Sequence, residues 1–315
     1  MQQSYFDKFS SGWWDKEGPM KMLHSMNETR MLFIQERILN RYQKLGSISN
    51  ILKKKSILDL GCGGGILSEE LAYRGASIKA IDKSKKLINI AKKRAKDKSL
   101  NIDYECTDIE SIYKSGLKFD IIICLEVVEH VDDLQGFLVN AYKSLKKNGL
   151  LIFSTINRSR ISFLTTILIA ENILKVVPKK THDWKKYVKP EEIMESAKVH
   201  KLHIDKLSGL LPFPSLSGFK WLRIKNTKAN YILSLKNKLF FDLSLSLMLI
   251  DGFFLFFSSW GWNSSIMIKR QEVTLTDSSM LSNIVKASLL YSFKGSLCAY
   301  ALKPIPCLNW SRPSK

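Results

Sequence analysis

The clearest hydrophobic pattern begins near residue 56. Ser56–Leu60 (SILDL) is the short apolar run that a strand buried on both faces requires. Ile66–Tyr73 then takes up helical spacing, with Ile66, Leu67, Leu71 and Ala72 apolar, and Gly75 is placed to stop that helix. Residues 77–81 form a second apolar run, and Asp82 stands at its carboxyl end. The alternation continues. The spacing predicts a lysine-rich helix over 85–98, with Leu87, Ile88, Ile90, Ala91 and Ala95 on its inner side. Strands are predicted over 101–106, Phe119–Leu125 (FDIIICL) and 150–156, with a helix over 134–147 ended by Asn148-Gly149. Strands alternating with helices imply an α/β fold built on a doubly wound, mostly parallel sheet. The expected organisation is an N-terminal helical cap over 1–50 and a ligand-binding core over 51–160. An insertion follows over 161–190, then the end of the core over 191–238 and an appended tail over 239–315.

Composition changes this picture in two ways. At 315 residues with 45% hydrophobic and 25% charged residues, the chain reads as a globular protein with one good core, at most two. The net charge of +20 is unusual and leaves open nucleic acid, anionic lipid or no partner at all. Only seven basic and four acidic residues follow Lys238, so most of the charge belongs to the core rather than the tail. The five cysteines (62, 106, 124, 298 and 307) show no paired spacing; Cys62 and Cys124 lie in or beside predicted strands and read as reduced core thiols in a reducing compartment. The N-terminus has neither the apolar core of a secretory signal nor an arginine-rich amphipathic helix.

Between the first two strands lie Gly61, Gly63, Gly64 and Gly65, a loop almost without side chains. It lets a ligand touch backbone at a helix N-terminus, outside the strand ends. Two cofactor classes fit. The dinucleotide pattern GxGxxG fails at Ile66, whereas Asp59, Gly61, Gly63 and Gly65 spell DxGxGxG. That pattern resembles motif I of class I S-adenosylmethionine-dependent methyltransferases, whose fold is Rossmann-like. On this reading Asp82 accepts hydrogen bonds from the ribose hydroxyls, because a carboxylate offers only acceptors. Asp108 either meets the adenine amino group or caps the following helix. A second cluster lies in LEVVEHV, residues 125–131. Glu126, Glu129 and His130 stand at i, i+3 and i+4, so one helical turn would bring them to one face. Two carboxylates and an imidazole suit either a divalent ion or a general base near neutral pH. A polar helix start is the plain alternative.

Taken together, SSGWWDKEGPMKMLHSMNETR, ILDLGCGGGILSEELAYRGASIKAID, CLEVVEHV, FSTINRS and VPKKTHDWKKYVKP resemble the ubiquinone-biosynthesis O-methyltransferases. The likeness spans residues 6–238, and ANYILSLKNK resembles the usual C-terminus of that family. Asn27-Glu28 departs from it, standing where the family has Asn-Pro. The resemblance implies methylation of polyprenylated catechols, a 2-polyprenyl-6-hydroxyphenol and a 3-demethylubiquinol, with S-adenosylmethionine as methyl donor. It further implies that Arg30, Gly61, Asp82 and Leu125 contact the cofactor. Glu126, Glu129 and His130 match the family's divalent-metal residues, usually Mg²⁺, with His130 and Glu129 as the catalytic pair.

A greasy substrate needs a route in. Residues 161–177 are strongly apolar, and Lys179, Lys180, Lys185, Lys186 and Lys189 follow, with Trp184 and Tyr187 among them. This predicts an interfacial contact with an anionic membrane, the two aromatics at headgroup level; a buried helix over the site is the alternative. At seventeen residues the stretch is short for a span. Residues 239–262 are apolar but broken by Asp242, Asp251 and Gly252, and make at best a poor transmembrane helix. The expected location is the cytoplasm, peripheral on the inner membrane face (the matrix side in a mitochondrion), in reach of other ubiquinone-biosynthesis enzymes. Two rival readings are a methyltransferase for another small phenol and a basic nucleic-acid-binding protein on the same fold. The latter lacks zinc ligands or a recognised RNA module, so nucleic acid is not expected as a partner.

Overall fold

The computed structural model describes residues 6–164, 183–215 and 218–237. Most of the apolar stretch 161–177, Lys179, Lys180, Cys298, Cys307 and the whole tail 239–315 lie outside them. Met1–Asp242 form the unit described here; a second unit, Leu243–Lys315, falls among the residues not described.

The helical cap centres on α1 (Lys21–Tyr42) and α2 (Ile48–Lys54). Ser47 caps α2 by accepting the Asn50 N–H, which satisfies one of the helix's free amide donors. The core then follows in the expected alternation: β1 (Ser56–Leu60), α3 (Ile66–Tyr73), β2 (Ser77–Asp82), α4 (Lys85–Asp97) and β3 (Ile102–Cys106). Next come α5 (Ile109–Lys114), β4 (Phe119–Leu125), α6 (Leu134–Lys143) and β5 (Leu145–Ile156). The chain closes with α7 (Pro190–Val199), β6 (Leu202–Ser215), β7 (Gly218–Ile224) and β8 (Asn230–Asn237).

All eight strands join one sheet in the order β3-β2-β1-β4-β5-β8-β6-β7. The first five are parallel, and β8, β6 and β7 extend the edge antiparallel. Chain order reverses between β1 and β4, which opens a crevice at their carboxyl ends. The pleat of each central strand splits its side chains between two cores. Ile57 of β1 and Ile121 of β4 join Phe33, Ile34 and Ile51 on the cap side. Leu58, Leu60 and Ile122 join Leu138 and Ile193 on the other. Burial on both faces is why these strands read as unbroken apolar runs.

The structure differs from the sequence reading in several places. Helix α6 stops at Lys143, and residues 145–147 already belong to β5, where Leu145 pairs with Phe119. Strands β6–β8 had no signature as strands, since Gly209, Pro212 and Pro214 interrupt β6. Tyr187 is a correction: it is fully buried and cannot sit at a membrane headgroup level. Cys62 and Cys124 are buried thiols as expected, and Cys106 is exposed.

One feature of register shapes the site. The last β6–β8 pair is Leu210↔Asn230, and Asn230 itself faces Ile156, the last residue of β5. Beyond it β6 pairs only with β7. The β6–β7 hairpin therefore overhangs the carboxyl end of the sheet.

Candidate active site

The loop after β1 is shaped by its neighbours before any ligand arrives. The Gly61 and Cys62 amides both donate to Ile81 O, at 2.8 and 2.9 Å. Gly61 (φ 79°), Gly63 (φ 53°) and Gly65 (φ 91°) occupy the left-handed region that favours glycine. At Gly63 and Gly64 a Cβ would lie 2.5 and 2.3 Å from the indole of Trp13. Trp14 Nε1 donates to Gly64 O at 3.0 Å, and the Arg94 guanidinium stacks 3.5 Å over the Trp14 ring. The N-terminal segment thus clamps the loop. Asp7 extends the clamp by accepting from Ser84 Oγ.

Asp82 ends β2 and accepts from the Gly63 amide (2.9 Å) and the Ser84 amide (2.8 Å). Burial pushes its carboxyl above the ordinary aspartate range, while those two amide bonds pull it back. Asp59, fully buried below the loop, accepts from Ser68 Oγ at 2.5 Å. Desolvation raises it to about 7. Asp108 caps α5, accepting the Ser111 amide at 2.9 Å, and also faces the cavity. Both roles proposed for it from sequence therefore stay compatible.

The expected helical turn around Glu126 does not form as spaced. Glu126 has φ 54° and precedes a tight turn over Val128–His130. Its carboxylate turns to Arg30, whose Nη2 lies 2.7 Å away, and it accepts from Ser154 Oγ at 2.7 Å. Glu129 is buried and accepts from Thr155 Oγ1 at 2.7 Å. Its carboxyl is pushed up, first by burial and then by the Glu126 charge. His130 borders the cavity, with Phe6 edge-on to its ring at 5.1 Å. Ser154 and Thr155 had no assigned role in the sequence reading; their signal was the FSTINRS stretch at the end of β5. Among the described residues no set of three His, Cys, Asp or Glu side chains stands together so as to hold a metal ion.

These groups open onto a single cavity of about 950 Å³ whose lining is mostly apolar. Arg30, Gly61, Asp82 and Leu125 line it, as do Glu126, Glu129 and His130. Two buried donors that border it have no acceptor among the described residues: Arg30 Nε and Trp13 Nε1. Arg30 is only 3% exposed. A buried guanidinium with a spare N–H is a ready anchor for a ligand carboxylate.

Comparison with known proteins identifies the family. Residues 30–211 match a family model described as a methyltransferase domain. A ubiquinone biosynthesis O-methyltransferase of Pelagibacter ubique is 42% identical over 227 residues, covering 72% of this chain and 93% of that one. The enzyme of the same name from Coxiella burnetii is 38% identical over 227 residues, covering 72% and 91%. That from Rickettsia felis is 37% identical over 233 residues, covering 74% and 91%. Among solved structures, a possible histamine N-methyltransferase from Thermotoga maritima is similar at 18% identity with a TM-score of 0.45, covering 76% of this chain and 100% of that one. With relatives of this identity matched over nearly their whole length, the chain belongs to the ubiquinone-biosynthesis O-methyltransferase family of S-adenosylmethionine-dependent enzymes.

Proposed function

We propose that this protein transfers the methyl group of S-adenosylmethionine to a hydroxyl of a polyprenylated catechol, a 2-polyprenyl-6-hydroxyphenol or a 3-demethylubiquinol. The observation that carries this reading is the one cavity shared by the buried Arg30 guanidinium, the Asp82 carboxylate and His130 within a mainly apolar wall.

The cofactor's amino-acid end suits Arg30, whose spare Nε matches an α-carboxylate. Its ribose suits Asp82, a pure acceptor already fixed by two amides. Gly61 and Leu125 form the adjacent wall. A catechol hydroxyl, with a pKa near ~10 when unperturbed, is a weak nucleophile until its proton has somewhere to go. His130 takes that proton on a ring nitrogen. The oxygen lone pair then forms the O–CH₃ bond, and the S–CH₃ electrons return to sulfur, leaving neutral S-adenosylhomocysteine. Glu129, held by Thr155, stands next in sequence to the base and lines the same cavity as the second member of the catalytic pair. Apposition of oxygen and methyl in one cavity supplies much of the remaining acceleration.

The family's divalent ion calls for a separate test. Glu126, Glu129 and His130 have suitable donor chemistry for Mg²⁺. As arranged, however, Glu126 is committed to Arg30 and Ser154, and the three side chains do not converge. This arrangement does not fit the ion.

A bilayer-dissolved substrate favours an enzyme that works peripherally on an anionic membrane face, on the cytoplasmic or matrix side. Lys185 and Lys189 are exposed, and among the described residues no helix is long and apolar enough to cross a membrane. Other ubiquinone-biosynthesis enzymes are the natural neighbours there.

The test is purified protein with methyl-labelled cofactor and a short-chain demethylubiquinol analogue. Label transfer to the catechol oxygen is expected. No transfer to this catechol, with transfer to an unprenylated phenol, would favour the rival small-phenol reading. Chelator followed by added Mg²⁺ separates the metal question. Activity lost and then restored would show that the reaction needs a divalent ion, and activity retained would leave His130 as the base.

A further inference from the structure

The β6–β7 hairpin overhangs the site end of the sheet, where β6 beyond Leu210 pairs with β7 alone. Such a two-stranded ribbon normally keeps its free face polar. Here Leu211, Phe213 and Leu222 are 40%, 55% and 46% exposed. Leu211 and Leu222 are cross-strand partners, and Phe213 lies two residues beyond Leu211, so the pleat puts all three on one face. The other face is accounted for. Trp221 is buried against α1, donating Nε1–H to Ser25 Oγ while Thr29 donates to its carbonyl, and Arg223 pairs with Glu36.

The same ribbon also walls the cavity. Trp221 and its partner Pro212 reach the cavity from one face and Leu211 from the other. Leu211 is thus both cavity wall and part of the exposed apolar row. An apolar track leads from the cavity out along the hairpin to Leu222 and Phe213.

We propose that this row is the subsite for the isoprenoid chain of the substrate. The catechol ring sits in the cavity near His130, and the first isoprene units leave past Leu211 over Leu222 and Phe213. This inference rests on the polyprenyl catechol reading above and deepens it. The hairpin would set how strongly the enzyme prefers a prenylated ring over a bare one.

The test compares Leu211→Asn/Leu222→Asn with the parent protein, using catechols that carry zero, one and three isoprene units below their aggregation limit. Burial of about one isoprene unit's hydrocarbon is worth roughly ten-fold or more in kcat/KM. The parent should gain with each unit, and the variant should lose most of that gain, read within each protein as the ratio of kcat/KM on the prenylated catechols to kcat/KM on the bare one. Val199→Asn, at an exposed apolar position on α7 remote from the cavity lining, should leave the chain-length gain intact. Circular dichroism and thermal melting confirm folding; if the double variant fails to fold, Phe213→Ser alone carries the comparison. An unchanged chain-length gain in the variant overturns the proposal. So does a loss confined to vesicle binding with unchanged kinetics on soluble analogues, which would make the hairpin a bilayer-docking surface. Failure of the parent to methylate any prenylated catechol would instead defeat the functional reading.

Discussion

Replacing Arg30 by Met tests whether the buried cation serves the fold, the cofactor or both. Arg30 Nη2 lies 2.7 Å from Glu126 Oε1, and both side chains are nearly enclosed. Removing the guanidinium leaves Glu126 with one hydroxyl donor, Ser154, beside the buried Glu129. Breaking one half of a buried ion pair costs about 3–5 kcal/mol. Arg30 also holds the Glu129 carboxyl down, so its loss should push that group further up. Cofactor binding should weaken independently. One charge-assisted contact to a carboxylate is worth about 1.5–3 kcal/mol, or roughly a ten- to 150-fold rise in Kd. The two effects separate in a cycle with Glu126→Gln. Urea unfolding should show Arg30→Met strongly destabilised and the double variant largely rescued, because no lone carboxylate remains. Calorimetric titration with S-adenosylhomocysteine should show both variants binding weakly. Parental affinity in the rescued double variant would refute the cofactor role and leave Arg30 as a structural partner of Glu126.

Further expectations are smaller in scope. Asp82→Ala should weaken S-adenosylhomocysteine binding by about 1–3 kcal/mol, and unchanged affinity by calorimetry would remove Asp82 from the ribose site. His130→Gln should lower kcat by about 10²–10⁴-fold with cofactor affinity preserved; an equal loss of both would make it a folding residue rather than the base. Asp59 is raised to about 7 in the folded protein, so the native state holds its proton where the unfolded chain releases it. Its contribution to stability should therefore fall as pH rises from about 4 to 7, and Asp59→Asn should flatten that part of the urea-unfolding profile. Gly65→Ala combines φ 91° with a Cβ 2.3 Å from Tyr104 Oη, whereas Gly116→Ala has φ 75° and open space. The first should cost several times the second, which should stay near ~1–2 kcal/mol, in denaturant melts.

How legible the molecule was depended on burial. Strands β1 and β4 are covered on both faces, so their sequences are largely apolar, whereas β2 is interrupted by Lys79, which pairs with Asp103 and Glu105 on β3. Strand β6 is different: its Gly209, Pro212 and Pro214 read as loop, and only pairing with β7 and β8 makes it a strand. The shape of the glycine loop and its tie to Asp82 were readable because DxGxGxG and a later acid constrain backbone directly. The Glu126–His130 turn was not, because spacing cannot show that Glu126 adopts φ 54° to reach Arg30, a residue 96 positions earlier in the chain. Leu145 shows the boundary problem. It continues a helical pattern, yet the strand claims it because Phe119 needs a partner.

The Trp13 indole lying against Gly63 and Gly64 carries a consequence for how variation in this chain can be interpreted. A methyl group at position 64 and a large ring at position 13 compete for one volume, so the two sites cannot drift independently. A change in the loop that abolishes cofactor binding would ordinarily be blamed on lost contact with the cofactor. Here it can act at one remove, by evicting the indole and unseating the segment that carries Phe6 and Asp7. The diagnostic is compensation. If shrinking residue 13 restores binding to a loop variant, the loop's bareness was being spent on the protein's own N-terminus as much as on its ligand.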